Sequence, residues 1–431
     1  MKVRWIKLSL TFWASSTMLP SPAAEFSASG FGTLGYARSN QSYAYQRFID
    51  KEGTFKRDSV AGFQVDAKFT ERFGATVQVK AAPASDDDNR YESTVSWAFL
   101  SYRLSNDWII GVGKQRIPFY LYSQNYDVGV TYDFARLPTE MYSLSPSNDF
   151  NGLSFSKSWG LGGGDLVLDG YLGKSKFDAR FWLRDGIPGA QSRGAMFRAI
   201  EFEGEILVLS YKRNEDTYRF GVVQGIGRPH RGTSLPISYP FVSLSPGVGY
   251  YQVDPSFPGP GIGSTSAFHN TIFTLGADVS LNAGFRVISE FARTYVTKPN
   301  VDFANAASRG YLSLHKSLNK WTPYISYAFL RSEARQRNLY DSINYNTVPS
   351  FIPGAALINA SQRVGADGML TYDQSSWGIG TSYSFSATSK LKAELMRTRI
   401  GKVSSMIDAP PGSNIRNQHI NVLSMSYNFV F

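Results

Sequence analysis

Leu423-Ser424-Met425-Ser426-Tyr427-Asn428-Phe429-Val430-Phe431 closes the chain. At a period of two, Leu423, Met425, Tyr427, Phe429 and Phe431 share one face, and Ser424, Ser426 and Asn428 share the other. An apolar strand face ending on a free carboxylate suits a strand zipped against a neighbour in a closed transmembrane barrel, because an open edge in hydrocarbon leaves backbone groups unpaired. A soluble sandwich strand alternates in the same way, so the rest of the chain has to decide.

Working back toward the start, short alternating segments recur, joined in turn by tight turns and by long polar loops, with no helical periodicity worth naming. The candidate strands lie at about 26 to 38, 57 to 70, 73 to 82, 92 to 104, 108 to 116, 151 to 159, 165 to 175 and 204 to 213. They continue at 217 to 227, 268 to 281, 285 to 296, 309 to 318, 321 to 332, 372 to 386, 390 to 402 and 418 to 431, which makes sixteen. Two further stretches, Phe177 to Trp182 and Ala195 to Glu203, have some strand character and leave eighteen as the alternative count. Ala61, Phe63, Val65, Ala67 and Phe69 alternate with Gly62, Gln64, Asp66 and Lys68; Ala75, Val77, Val79 and Ala81 oppose Thr76, Gln78 and Lys80. Trp377, Ile379, Thr381, Tyr383 and Phe385 make another apolar row. With the apolar rows facing lipid, the polar rows line the centre, and sixteen strands enclose a water-filled lumen. The fold expected is an all-β, antiparallel transmembrane barrel.

Direction follows from the connections. The turns 70 to 73, 105 to 107, 214 to 216, 282 to 284, 319 to 320 and 387 to 389 are short, as periplasmic turns are, and the intervening loops are long, as extracellular loops are. Phe73, Trp108, Trp321 and Phe431 fall near strand ends on the short-turn side, where an aromatic girdle belongs. The Gly-rich run Gly160 to Gly164 reads as one of these turns, since no Gly-Lys-Ser/Thr follows to make a phosphate loop.

Ahead of the first strand, Lys2, Arg4 and Lys7 precede an apolar run from Leu8 to Leu19 and then Ser21-Pro22-Ala23, the layout of a cleavable secretory signal over 1–23. The run is well short of the roughly 20 residues a spanning helix needs. Domain organisation is then a signal at 1–23 and one barrel at 24–431, with no stretch ahead of the first strand for the plug of an energised transporter. Loss of the signal removes three positive charges and lowers the formal net charge from +10 to +7. That excess suits a bias toward anionic solutes. The basic residues form no sequence cluster of the kind nucleic acid or anionic lipid selects, and no nucleic-acid partner is expected. Cysteine is absent, so strand pairing rather than disulfides has to supply stability.

The most informative connection follows the fifth strand, about 117 to 150: Arg116-Ile117-Pro118 leads to Asp127-Val128-Gly129, Tyr132-Asp133, Arg136, Pro138, Glu140 and Tyr142. So long a loop, rich in aromatics and charge, is expected to fold against something. Here the chain resembles the Gram-negative outer-membrane porins of the general, trimeric superfamily, whose third loop folds into the barrel and narrows the pore. The pattern from Arg116 to Tyr142 is similar to the constriction loop of one group of proteobacterial porins, departing from it at Asp133-Phe134 and Leu137, where Pro-Trp and Pro are expected. The likeness implies an outer-membrane location, contacts with lipid and lipopolysaccharide, a homotrimer, and passive diffusion of small hydrophilic solutes and ions.

A constriction acts through its radius and its field. On this reading Asp127, Asp133 and Glu140 bring negative charge from the loop, with Arg136 beside them and Arg116 at the root. Inward strand parity gives Lys80, Arg286, Glu290, Lys392 and Glu394 as facing wall residues. Lys80 and Arg286 read as lumen groups; Arg116, Arg136 and Glu140 either line the pore or pin the loop. A substrate-selective channel for anions or carboxylates, and a non-transport barrel serving as adhesin or anchor, stay open as alternatives.

Other signals are weak. His230, His269, His315 and His419 have no metal spacing, no serine sits in a nucleophile elbow, and neither cofactor nor catalysis is expected. Asp86-Asp87-Asp88 in the second outer loop reads as a solvated run or as a contact to divalent cations and lipopolysaccharide. The loops at about 228 to 267 and 333 to 371 are rich in Pro, Gly, Tyr and Asn and show no clear structure.

Overall fold

A computed structural model describes residues 24–144, 149–299 and 306–431. The expected signal at 1–23 and the end of the third loop, 145–148, lie outside the described residues. Sixteen antiparallel strands follow one another round a closed barrel. They are β1 Glu25–Ser39, β2 Val60–Lys68, β3 Phe73–Pro83, β4 Tyr91–Ser105, β5 Trp108–Arg116, β6 Asp149–Leu161, β7 Gly164–Leu183 and β8 Gly194–Arg213. The circuit continues through β9 Asp216–Pro229, β10 Phe268–Ser280, β11 Phe285–Lys298, β12 Ala307–Lys316, β13 Trp321–Ser332, β14 Tyr372–Ser386, β15 Ser389–Ser404 and β16 His419–Val430.

Closure is made by β1 against β16, in a register that sets Phe31 opposite Val430 and Arg38 opposite Leu423. Two backbone bonds, Gly30 N to Phe431 O at 2.8 Å and Phe431 N to Gly30 O at 3.0 Å, stitch the last residue into the sheet. Glycine at 30 is what makes room. The Phe431 ring lies over Gly30, where a Cβ would come within 2.2 Å of it. The terminal alternation is realised as expected: Leu423, Met425, Tyr427, Phe429 and Phe431 are exposed on the outside, and Ser424, Ser426 and Asn428 are buried within. Phe63, Val77, Val79, Trp377, Ile379 and Phe385 extend the same exposed apolar belt, the surface that hydrocarbon covers in a spanning barrel.

The end of the barrel holding both β1's start and β16's finish also holds the short turns. Asn214 and Asn319, with φ of 53° and 56°, occupy left-handed positions in two of them, where Asn is tolerated best after Gly. Trp108, Trp321, Phe285 and Phe431 are exposed around this rim.

Two expectations need correction. The strand character at Phe177 to Trp182 and Ala195 to Glu203 does not add strands; it prolongs β7 and β8, which pair from Asp165 with Lys212 out to Leu183 with Gly194. The absence of helix is also wrong. The seventh outer loop holds α2, Ala334–Tyr345, and α3, Ala355–Asp367. Their buried positions, Gln336, Tyr340, Ile343 and Asn344 in α2 and Ala355, Ile358, Ser361, Gln362 and Ala366 in α3, have helical spacing. Six of these nine are polar or small, so the hydrophobic contrast that marks a helix is faint.

Candidate channel interior

The third loop lies inside the barrel. Its residues Phe119, Tyr120, Tyr122, Phe134, Leu137, Met141 and Tyr142 form one buried cluster with inward side chains of β8 to β13, among them Ile206, Val223, Ile272, Ile288, Tyr311 and Tyr324. Phe134 is its centre. The ring is wholly buried and meets Tyr311, His315 and Tyr324 edge-on at centroid distances of 5.8, 4.9 and 5.2 Å. The loop has only a 3₁₀ turn at Gly129–Thr131 and a single helical turn, α1, at Thr139–Tyr142, so its backbone groups need partners from the wall.

The wall supplies them. Glu290 of β11 accepts from the Leu121 amide at 2.6 Å, from the Tyr311 hydroxyl at 2.9 Å and from the Tyr142 hydroxyl. Lys392 of β15 donates to the Gly129 and Phe134 carbonyls at 2.6 and 2.9 Å, and its ammonium sits 3.9 Å from the centroid of Tyr132. Glu394 accepts from the Tyr324 hydroxyl at 2.9 Å, which itself accepts from the Ala135 amide at 2.9 Å. Asp133 receives Lys390 at 2.8 Å and the Ser382 hydroxyl at 2.7 Å. Glu140 is fully buried and accepts from Gln374 at 2.8 Å and from Ser376. Arg219 and Arg309 hold Tyr120 by its carbonyl and its hydroxyl, at 2.5 and 2.6 Å.

At the loop root, Arg116 joins Asp127 and Asp149, and Lys80 of β3 reaches Asp127 at 3.0 Å. Burial raises the Asp127 carboxyl, but Lys80 and Arg116 outweigh it and hold the group below its ordinary value. Arg136 reaches out of the loop to Asp58 in the β1–β2 connection, its Nε donating at 2.9 Å. Burial opposes the Asp58 carboxylate too, and Arg136 and then Arg57 keep it below the usual range. Arg286 pairs with Asp278, which also accepts a long 3.5 Å bond from Tyr122.

Every site residue expected from sequence is therefore inside the barrel, and the structure groups them differently from a ladder across open water. Arg116, Asp127 and Lys80 meet as a triad; Glu290, Lys392, Glu394, Asp133 and Glu140 each grip the loop or its contacts; Arg136 and Arg286 pair with acids that the sequence reading did not single out. The departures at Asp133-Phe134 and Leu137 are themselves structural, one pairing with Lys390 and two filling the cluster. Arg219, Arg309 and Lys390 were legible by the same inward parity that found Lys80. Arg47 lay in a segment read as a loop, Arg57 and Asp58 at the start of the candidate strand 57 to 70, and Arg180 in the stretch Phe177 to Trp182; none falls in a row of clean alternation.

Those last residues frame a chamber. A cavity of about 460 Å³ lies between the third loop and the wall, lined by Arg47, Arg57, Lys80, Arg136 and Arg180 among the bases and by Asp58, Asp127 and Asp178 among the acids. Scattered in sequence, the bases converge in space, and low-dielectric walls around them focus their field.

Above the chamber the outer loops are knitted together. Arg180, on the extended part of β7, bridges Asp88 of the second loop at 2.8 Å and Asp408 of the eighth at 2.6 Å, and Arg47 of the first loop also grips Asp88. Trp182 donates to the Ala409 carbonyl at 2.9 Å, and Arg184 pairs with Asp367 of α3 at 2.7 Å. Tyr45, Ile49, Ile407 and Ala409 from the first and eighth loops are buried against Ile400, Ile420 and Val422. The acidic run is thus divided: Asp86 and Asp87 pair locally with Arg90, while Asp88 ties three loops, so the solvated reading fails for Asp88. Among the described residues no group of three or more His, Cys, Asp or Glu side chains could hold a metal ion.

No family model and no curated protein matches the chain. Solved structures do. An OmpT outer membrane protein of Vibrio cholerae lacking loop L8 superposes with a TM-score of 0.52 at 10% identity, covering 95% of this chain and 100% of that one. In-vitro folded OmpT gives 0.51 at 12% identity over 96% and 100%. An anion-selective porin from Comamonas acidovorans gives 0.48 at 10% identity over 95% and 100%. The chain is a closed sixteen-stranded barrel and shares its fold with these outer membrane proteins of Vibrio cholerae.

Proposed function

We propose that the protein is an outer-membrane channel through which small hydrophilic solutes and ions diffuse, with a preference for anions. One observation carries the reading. A barrel with an apolar exterior holds a loop folded inside it, and beside that loop lies a chamber of about 460 Å³ whose lining includes five bases and three acids. The third loop sets the radius of the path. Glu290, Lys392, Glu394, Asp133 and Glu140 serve to hold that loop in place, while Lys80, Arg57, Arg136, Arg180 and Arg286 supply the field that an entering solute meets. Export by the 1–23 signal, contact with lipid and lipopolysaccharide, and assembly as a homotrimer through the outward small residues of the first strands belong to the same proposal. Chemical cross-linking in native membranes tests the trimer.

Swelling of liposomes containing the folded protein tests the channel: swelling in small neutral sugars and in gluconate, faster for gluconate, is expected. No swelling in either solute from a folded barrel sinks the reading. A second reading, a solute-selective rather than general channel, is favoured by the ion-paired roof that joins the first, second, fourth, seventh and eighth loops.

A further inference from the structure

Where the inner wall faces the charged chamber, Lys80, Asp178 and Arg180 stand among apolar side chains. Beside it the wall changes character. Phe177, Phe181 and Leu183 of β7, Met196 and Ile200 of β8 and Ile272 of β10 face a cavity of about 410 Å³. Tyr239 and Val253 of the fifth loop and Val364 and Gly365 of α3 complete its lining. The cavity adjoins the charged chamber, because Phe177, Ala179 and Leu370 line both.

Apolar inward side chains elsewhere at this end of the barrel are used up by packing, as Ile400, Ile420 and Val422 are by Tyr45 and Ile49. Those around this cavity border a space of ligand size, Ile272 alone of those named being also a buried member of the third-loop cluster. Two charged side chains interrupt the apolar lining. Arg198 of β8 stacks its guanidinium 5.8 Å from the Phe181 ring centroid and forms no ion pair among the described residues. Asp254 spends one carboxylate oxygen on the Ser256 amide at 2.8 Å, capping a turn. Asp254 keeps its charge but is held in the turn it caps, whereas Arg198 is the lining cation and has no ion-pair partner among the described residues.

We propose that this cavity is a binding subsite for small organic monoanions with an apolar body, the body against Phe177, Phe181, Met196, Ile200 and Ile272 and the anionic head on Arg198. The subsite lies next to the basic chamber, so a bound anion is handed from an apolar antechamber to a row of bases. The inference deepens the channel reading and rests on it for its role in passage, though not for binding itself.

The test is calorimetric titration of the folded full chain in lipid nanodiscs with 3-phenylpropionate, against empty nanodiscs. Saturable binding is expected. Phenylalanine, which adds an ammonium, and 3-phenylpropanol, which lacks the charge, are expected to bind roughly ten-fold more weakly, the scale of one charge-assisted hydrogen bond. Arg198→Gln reduces the acid to the level of the alcohol, and Met196→Trp, which fills the cavity, removes binding of both. Sodium dodecyl sulfate resistance of each variant shows that it is folded. No saturable heat from a protein that conducts in bilayers overturns the subsite and leaves the channel standing. Phenylalanine binding as tightly as the acid, or an unchanged Arg198→Gln, overturns the anion assignment. Binding retained by a protein silent in bilayers supports the subsite and sinks the transport reading.

Discussion

Two regions of the interior spend charge in opposite ways. Along β11 to β15 the charged side chains are dry: Glu290, Lys392 and Glu394 are 3%, 1% and 6% exposed, and each is satisfied by loop backbone or tyrosine hydroxyls. In the roof the charges around Asp88 stay partly wet, Arg180 at 14%, Arg47 at 19% and Asp88 at 20% of their side chains, and they join loop to loop. A buried charge with one partner removed is costly, whereas a pair with partial access to water is screened and its loss costs less. The first region is built to stay, and the second is built so that it can part.

The contrast breaks first at Arg136. Arg136→Ala leaves Asp58 without its principal partner beside the loop and is expected to destabilise the fold by about 3–5 kcal/mol, read by urea unfolding from liposomes, with noisier single-channel currents as the third loop loosens. Arg180→Ala cuts two ion pairs in the roof and is expected to cost about 1–3 kcal/mol of local rather than global stability. Its signature is faster proteolysis within 184–193 and a larger conductance, with the urea midpoint little changed; an equal drop in that midpoint would erase the distinction between the regions.

Acid sharpens the same comparison. Asp58 and Asp88 both lie outside the spanning strands, and in each the arginine partners outweigh burial and hold the carboxyl below its ordinary value. A depressed folded pKa means that the stabilisation is full above the unfolded value of about 3.9 and is lost as pH falls through the folded one. Conductance is therefore expected to be steady from neutrality down to about pH 4 and to become unstable below it; instability setting in near pH 6 points to other groups. The smallest effect is expected from Lys80→Gln. Asp127 keeps Arg116, so the fold holds, and only the reversal potential in a salt gradient moves toward cations. An unmoved potential removes Lys80 from the path.

Much of this was legible in the sequence. Strand bounds at 108–116, 321–332 and 372–386 agree with β5, β13 and β14 because alternation between lipid and water is imposed on every barrel strand. The same parity pointed Lys80, Arg286, Glu290, Lys392 and Glu394 inward. Hidden were the partners, since Asp58 and Arg136 lie 78 positions apart and Glu140 and Gln374 lie 234 apart, and period-two alternation carries no information across such distances. Three of the chamber's bases were missed for a related reason: Arg47 lies in a loop, Arg57 just precedes β2 and Arg180 lies near the end of β7, where alternation between lipid and water no longer defines a face. The prolonged β7 and β8 escaped because above the membrane both faces meet protein, Phe181 toward the apolar cavity and Trp182 toward the eighth loop, and the alternation disappears.

The most direct test of the account is conductance of the purified, folded protein in a planar bilayer under a salt gradient. Stable steps with a reversal potential on the anion side are predicted, and steps of larger size from Arg180→Ala. Silence from both proteins, or a cation-side potential from the wild type, contradicts it.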